Sequence, residues 1–170
     1  QRAGKHSANL TQQLVAFSRQ QSLHMTRIDL NALIESLEKS LLTMVGERIP
    51  LELRLASDVK PVQADAGQLT QVLINLVTNA RDAVLEAQSS NSHTTPGRVG
   101  IETANVSLDT AFAHSHAPLV PGDYVMLSVT DDGTGLSEQA RQHLFEPFFT
   151  TKVVGRGAGL GLAAVYGIVK

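Results

Sequence analysis

The sequence predicts an α/β domain in which a sheet and a layer of helices pack as a two-layer sandwich. Segments with the two-residue alternation of strands are interleaved with segments whose apolar residues recur every three or four positions. Two of the predicted strands form a hairpin-like pair. Of the 170 residues, 42% are hydrophobic and 18% are charged, which is typical of a folded chain. A chain of this length is expected to form one good core with at most a small appendage.

The first predicted element is a helix over residues 8–25. Leu10, Leu14 and Phe17 follow each other at spacings of three and four, and therefore share one face. A single apolar stripe on a helix of this length needs a partner that covers it. We therefore expect dimerisation or a neighbouring helix.

A second helix is predicted from Asn31, a plausible N-cap, to Gly46. The alternation of leucine with Glu52 and Arg54 predicts a half-buried strand over residues 51–55. The remaining elements follow in order: a short strand Val62–Ala64, a strongly apolar helix 66–87, a polar loop 89–97, a strand from Val99, a loose connection 109–122, a strand Tyr124–Asp131, a short helix after Ser137, a mobile loop 145–158 and a final helix Leu160–Val169.

Charge and composition exclude several classes of protein. The net charge is −2, and the only concentration of positive charge is four basic residues within residues 1–27, so no nucleic-acid partner is expected. The chain has no cysteine, which excludes disulfides and thiolate zinc sites and fits a reducing compartment. The nearly uncharged run Gly157–Val169 is too short and too rich in glycine to span a membrane.

Asn75, Asn79 and Asp82 occupy positions i, i+4 and i+7 of the 66–87 helix and therefore share a face. Such a stripe can be an ordinary solvent-exposed face, or its amides can cap neighbouring backbone. A carboxamide oxygen is also a suitable ligand for Mg²⁺, which takes few protein ligands and shares the rest with water and phosphates.

Two glycine-rich segments could approach a ligand closely. Asp131 ends a predicted strand before Gly133 and Gly135, where it could accept a hydrogen bond from an exocyclic amine or simply form an Asp-Gly turn. The segment Gly155–Leu162 leads into the last helix, so its backbone N–H groups could bind phosphate, although it could also be a flexible linker. It lacks the Lys-Ser/Thr of a Walker loop.

Taken in order, these motifs resemble those of sensor histidine kinases. The segments that correspond to the asparagine box, first glycine box, phenylalanine box and second glycine box are Asn75–Ala83, Asp131–Gly135, Phe145–Lys152 and Gly157–Leu162. The segment Leu14–Arg19 resembles the second helix of the dimerisation and histidine-phosphotransfer hairpin, in the style of hybrid kinases. The wider group is the Bergerat ATP-binding fold shared with gyrase, MutL and heat-shock chaperones.

The resemblance implies roles for individual residues. Asn79 would hold the Mg²⁺ that bridges the phosphates of ATP, Asn75 would assist at the phosphate end, and Asp131 would bind the adenine amine. Lys152 would reach the triphosphate, and phenylalanines 145, 148 and 149 would anchor a lid. Asn75, Asn79 and Lys152 are the expected catalytic residues. The nucleotide-binding residues implied are Asn75, Asn79, Asp82, Asp131, Gly133, Gly135, Leu136, Lys152, Gly157, Gly159, Leu160 and Gly161.

Asn75 favours the kinase branch of this fold. Relatives that hydrolyse ATP carry a glutamate there to activate water, and an amide cannot take that proton. The alternatives are a gyrase- or MutL-type ATPase module and a nucleotide-sensing module without phosphotransfer. His6 lacks the sequence context of the family's phosphoacceptor, so the acceptor histidine is expected to lie outside this chain.

The resemblance also implies a domain organisation and partners. Residues 1–27 would be part of the dimerisation hairpin, and residues 28–170 an ATP-binding domain without its C-terminal strands. The expected partners are ATP, the protein's own hairpin in a homodimer, and the receiver domain of a response regulator. The expected location is the cytoplasm, where the domain could be part of a membrane-anchored sensor.

Overall fold

The structure, a computed structural model, describes residues 23–89, 97–116, 118–152 and 158–170. Met25–Gly135 form one compact unit, and Leu136–Lys170 belong to a second unit. The helix predicted over residues 8–25 lies outside the described residues except for residues 23–25, which are not helical. The prediction is wrong for these three residues. The Met25 carbonyl accepts a hydrogen bond from Gln63 Nε2 at 3.1 Å, and a strand follows at once.

The first unit combines a mixed sheet with helices. Its elements in chain order are β1 (Thr26–Ile28), α1 (Leu30–Val45), β2 (Leu51–Leu55), β3 (Val62–Ala64), α2 (Ala66–Ser89), β4 (Val99–Leu108), α3 (Thr110–Ser115) and β5 (Gly122–Asp131). Strand β4 lies between β2, to which it is parallel, and β5, to which it is antiparallel. Strands β1 and β3 form a separate antiparallel pair. The predicted α/β class with a mixed sheet is therefore confirmed.

Helices α1 and α2 share one core with the inner face of the three-stranded sheet. The side chains that this core buries completely are Ile34, Leu41, Leu73, Val77, Val84, Val99 and Ile101. They come from a 3.6-residue period on the helices and a two-residue period on β4, as the sequence predicts. Burying a side chain of this size contributes about 1.5–3 kcal/mol, so this layer is the main source of stability in the unit.

Three local features differ from the predictions. The N-cap of α1 is Asp29, whose Oδ1 accepts from Ala32 N at 3.1 Å, and Asn31 lies inside the helix. The connection over residues 109–122 is not wholly irregular, because Asp109 caps the short helix α3 through Phe112 N at 2.7 Å. Strand β1 was not predicted, because the sequence analysis assigned residues up to 25 to a helix and no element to residues 26–28.

The second unit contains α4 (Glu138–His143) and α5 (Gly161–Val169), as predicted. The rings of Phe145 and Tyr166 stack with their centroids 5.0 Å apart. No helix in the described parts of the chain is both long and apolar enough to cross a membrane.

Candidate functional site

The polar stripe of α2 lies at the edge of the core and not on a fully exposed face. Asn75, Asn79 and Asp82 are all half-buried, while Leu73, Val77 and other residues on the opposite side of the helix are buried. Because the three polar side chains share a face, they form a row of oxygen and nitrogen atoms about ten ångströms long (1.5 Å per residue). This row is the first half of the candidate site in this unit.

Arg81 contacts the acidic end of this row. Asp82 Oδ1 accepts from Arg81 Nε at 2.9 Å and from Arg81 Nη2 at 2.5 Å. Arg81 Nη1 also donates to the Met44 carbonyl at 3.2 Å, so the guanidinium is held between the two helices. Both side chains of this ion pair are about three-quarters buried. The guanidinium of Arg81 therefore partly neutralises the negative charge of Asp82. Sequence reasoning did not identify Arg81, because nothing in its spacing distinguishes it from a surface arginine.

Asp131 ends β5, where the backbone turns sharply. Its Oδ1 accepts from Gly133 N at 2.9 Å, which closes a short side-chain turn. Gly135 has a φ of +68°, a conformation that glycine adopts without strain. Asp131 is exposed, and a carboxylate has further acceptor capacity beyond the bond to Gly133 N.

The turn after β5 packs directly on α2. A Cβ at Gly133 would lie 2.5 Å from the Ala83 carbonyl carbon and 2.6 Å from Ala83 Cβ, so only glycine fits there. Thr134 N also donates to the Ala83 carbonyl at 3.3 Å. Ala83 follows Asp82 and lies one helical turn after Asn79. The structure therefore brings the Asp131–Gly135 turn and the polar row of α2 together.

The oxygen atoms of this site suit a hard cation that is bound by the protein and by phosphate together. Asn75 and Asn79 offer carboxamide oxygens, and Mg²⁺ is bound in such sites by one or two protein ligands, with phosphates and water completing its octahedron. Within the ranges that the structure describes, no group of three His, Cys, Asp or Glu side chains could hold a metal without such help. The residues present fit Mg²⁺ bound together with a nucleotide.

The second unit carries the remaining predicted residues. Lys152, Gly159, Leu160 and Gly161 are half-buried, Leu136 is exposed, and Gly157 lies outside the described residues. Phe148 N donates to the Gly159 carbonyl at 2.9 Å, and a Cβ at Gly159 would lie 2.4 Å from the Phe148 carbonyl carbon. Both residues have a positive φ, +69° and +65°. Phe148 and Gly159 are therefore in direct contact, and only glycine fits at position 159.

Comparison with known proteins gives a consistent result. Residues 64–170 match the family described as histidine kinase-, DNA gyrase B-, and HSP90-like ATPase. The chain is 42% identical over 164 residues to the sensor kinase CckA of Brucella abortus (strain 2308), covering 96% of this chain and 16% of that protein. It is 34% identical over 166 residues to the two-component sensor PprA of Pseudomonas aeruginosa, covering 95% and 16%. It therefore spans about one sixth of the length of these relatives.

Solved structures agree on the fold. The catalytic domain of histidine kinase ThkA matches with a TM-score of 0.56 and 27% identity, covering 86% of this chain and 80% of that chain. Full-length ShkA in complex with AMPPNP matches with a TM-score of 0.69 and 23% identity, covering 98% of this chain and 31% of that chain. At that identity the second likeness supports the fold alone.

Proposed function

The chain belongs to the histidine kinase-, DNA gyrase B-, and HSP90-like ATPase family, and on this premise we propose that it transfers the γ-phosphoryl group of ATP to a histidine. The resemblance to sensor histidine kinases read from the sequence is confirmed by its relatives. The protein would be the catalytic region of a two-component sensor kinase. The observation that carries the proposal is the close approach of Gly133 to Ala83, which places the Asp131–Gly135 turn against the polar row of α2.

The adenine end of ATP would bind at the turn after β5. Asp131 would accept a hydrogen bond from the exocyclic amine with the oxygen that Gly133 N does not use. The glycines at positions 133 and 135 would let the backbone lie close to the planar base, and Leu136 would contact it. A carboxylate that accepts from an amine selects adenine over guanine, whose carbonyl at the same place cannot donate.

The phosphate end would bind along the polar row of α2. Asn79 would hold Mg²⁺, and Asn75 would contact the phosphates one turn earlier. Mg²⁺ would supply neutralisation of the phosphate charge as it builds up during transfer. Asp82 would lie next to these groups, and its pairing with Arg81 would limit the repulsion between its carboxylate and the triphosphate.

Lys152 and the second glycine box would form the phosphate clamp, as the family resemblance implies. Lys152 would bind the triphosphate through a charge-assisted hydrogen bond, the strongest kind available to a lysine. The backbone N–H groups of the second glycine box would bind phosphate oxygens at the start of α5. The residues proposed for this role are Gly157, Gly159, Leu160 and Gly161.

Asn75 favours transfer to a protein over hydrolysis. A general base must accept a proton from water, and a carboxamide has no basic atom for this purpose. Catalysis would instead come from positioning the γ-phosphate in line with an acceptor nitrogen and from neutralising its charge. ATP hydrolysis of the gyrase or MutL kind is therefore the second candidate, and nucleotide sensing without turnover is the third.

The acceptor and the downstream partner would lie in the rest of the system. We propose that the part of residues 1–27 that precedes the first unit belongs to the dimerisation hairpin, that the full-length protein is a homodimer, and that the phosphoryl group passes on to a response regulator. One solved relative, ThkA, is described in complex with a response regulator protein, TrrA. The use of ATP would place this region in the cytoplasm.

One assay separates the three candidates. The chain is incubated with Mg²⁺-ATP and a separate dimerisation hairpin that carries the phosphoacceptor histidine. Acid-labile, base-stable phosphate on the hairpin supports the kinase, free phosphate alone supports an ATPase, and ATP binding without either product supports a sensing module. Asn79→Ala should abolish transfer, whereas Leu85→Ala, an exposed position on another face of α2, should preserve it.

A further inference from the structure

A chain of alternating charges crosses the outer face of the sheet, opposite the core. Arg54 contacts Glu102 at 2.9 Å and Glu52 at 3.0 Å. Arg98 contacts Glu52 at 3.2 Å through Nη1 and Asp132 at 3.2 Å through Nε. Asp132 ends this chain, and it is the residue next to the proposed adenine acceptor. The proposed function uses none of these five residues.

Side chains alternate between the two faces at the end of β5. Val129 packs against the core, and Thr130 lies on the outer face with the charged residues. The same alternation directs Asp131 toward the α2 side and Asp132 toward the outer face. If the register of β5 shifted by one residue, Asp131 would lie on the outer face and Asp132 on the α2 side. A contact that holds Asp132 on the outer face therefore also sets the direction of Asp131.

Arg98 holds Asp132 through both its backbone and its side chain. Its carbonyl accepts from Asp132 N at 3.2 Å, next to the pairing of Val99 with Asp131. Its guanidinium contacts the Asp132 carboxylate on the outer face. Arg98 is protonated, as arginine always is in proteins, and the hydrogen bond and charge of Glu52, followed by the charge of Asp132, raise its pKa further.

We propose that Arg98 is a positioning residue for adenine binding, which acts by holding Asp132 on the outer face so that Asp131 points toward the nucleotide. This inference rests on the proposed function, because it needs Asp131 to bind the adenine amine. Arg98 itself touches no part of the nucleotide in this arrangement. Its effect is therefore expected to be specific to the amine and not to the phosphates.

The size of the effect follows from the exposure of the pair. Arg98 and Asp132 are each about half exposed, at 50% and 53% of the side chain. Exposed ion pairs are worth at most about 1 kcal/mol, which corresponds to roughly a five-fold change in an equilibrium constant. Loss of the pair should therefore weaken ATP binding by about three- to five-fold.

The test compares two nucleotides that differ in one group. Calorimetric titration measures the affinity of the intact chain for ATP and for purine riboside triphosphate, which lacks the exocyclic amine. Arg98→Gln should weaken ATP binding about three- to five-fold and leave the affinity for the analogue unchanged. The matched control is Arg54→Gln, which breaks the same charge network away from Asp132 and should alter neither affinity. Arg98→Gln combined with Asp132→Asn should be no weaker than Arg98→Gln alone.

Three outcomes would overturn the proposal. An equal loss for both nucleotides would show that Arg98 acts through general stability or charge. A loss in Arg54→Gln as large as that in Arg98→Gln would assign the effect to the network as a whole. Unchanged ATP affinity in a folded Arg98→Gln variant would show that the Asp131–Gly135 turn positions Asp131 without a contribution from Arg98. Failure of the proposed function is a different result, since the wild-type chain would then bind both nucleotides equally or not at all.

Discussion

Thr103 donates its hydroxyl hydrogen to Asn31 Oδ1 over 2.7 Å and so connects strand β4 to helix α1 within the core. Thr103 is only 3% exposed and is the buried polar residue of the sheet's inner face. The amide of Asn31 continues the connection by donating from Nδ2 to the Ala56 carbonyl at 2.8 Å. One side chain therefore satisfies polar groups after β2 and on β4.

Removing the hydroxyl of Thr103 should destabilise the fold. Thr103→Val keeps the shape and leaves Asn31 Oδ1 without its donor, so the free energy of unfolding should fall by about 1–3 kcal/mol. Urea denaturation measures this change. Thr43→Val removes an exposed hydroxyl that donates to the Lys39 carbonyl within α1, and it should change stability by no more than about 0.5 kcal/mol. Equal effects of the two changes would contradict the role given to the buried contact.

Asp131→Asn tests the adenine acceptor. The asparagine Oδ1 can still accept from Gly133 N, so the turn should survive, but an amide nitrogen would then face the amine of adenine. ATP affinity should fall by about 1.5–3 kcal/mol, the value of a charge-assisted hydrogen bond. Titration with purine riboside triphosphate should show a much smaller loss. Wild-type ATP affinity in a folded variant would show that Asp131 does not bind the adenine amine.

Asn79→Ala tests the metal. The change removes one oxygen ligand, so the affinity for Mg²⁺-ATP should fall more than the affinity for ATP in the presence of a chelator. The ratio of the two affinities in Leu85→Ala should match that of the wild type. If both forms of the nucleotide weaken equally, Asn79 has a structural role and does not hold the metal.

Gly133→Ala tests the contact between the turn and α2. The new methyl group would lie 2.5 Å from the Ala83 backbone, so the turn must move, at a cost of about 1–3 kcal/mol. We expect lower ATP affinity together with a lower melting temperature. Gly167→Ala in α5 has open space around its new methyl group and should leave ATP affinity unchanged. Wild-type affinity in Gly133→Ala would show that the contact does not position Asp131.

Lys152→Met tests the phosphate clamp. The methionine keeps the length of the side chain without its charge, so ATP affinity should fall by about 1.5–3 kcal/mol while adenosine affinity stays constant. Lys170→Met, also in the second unit, removes a lysine that contacts the Tyr166 ring and should have no effect on either ligand. A loss of adenosine affinity in Lys152→Met would indicate a structural role for this lysine.

The sequence by itself predicted the helices and strands whose patterns are local. The helix over residues 66–87 and the strand over residues 51–55 were predicted, because burial of one face imposes a period of 3.6 or 2 on neighbouring residues. The ordered motifs likewise identified the family. The roles of Asn79, Asp131 and Lys152 stay predictions.

Only the tertiary structure decided how polar residues are paired. The sequence predicts Asn31 as a helix cap, yet its side chain accepts a hydrogen bond from Thr103, which is 72 positions away. The partners of Arg81 and Arg98 have no signal in the sequence, and the structure pairs Arg81 with Asp82 and Arg98 with Asp132. The fit of Gly133 against Ala83 likewise depends on how a strand end meets a helix. Such contacts have no period along the chain, because they arise only when elements far apart in sequence pack against each other.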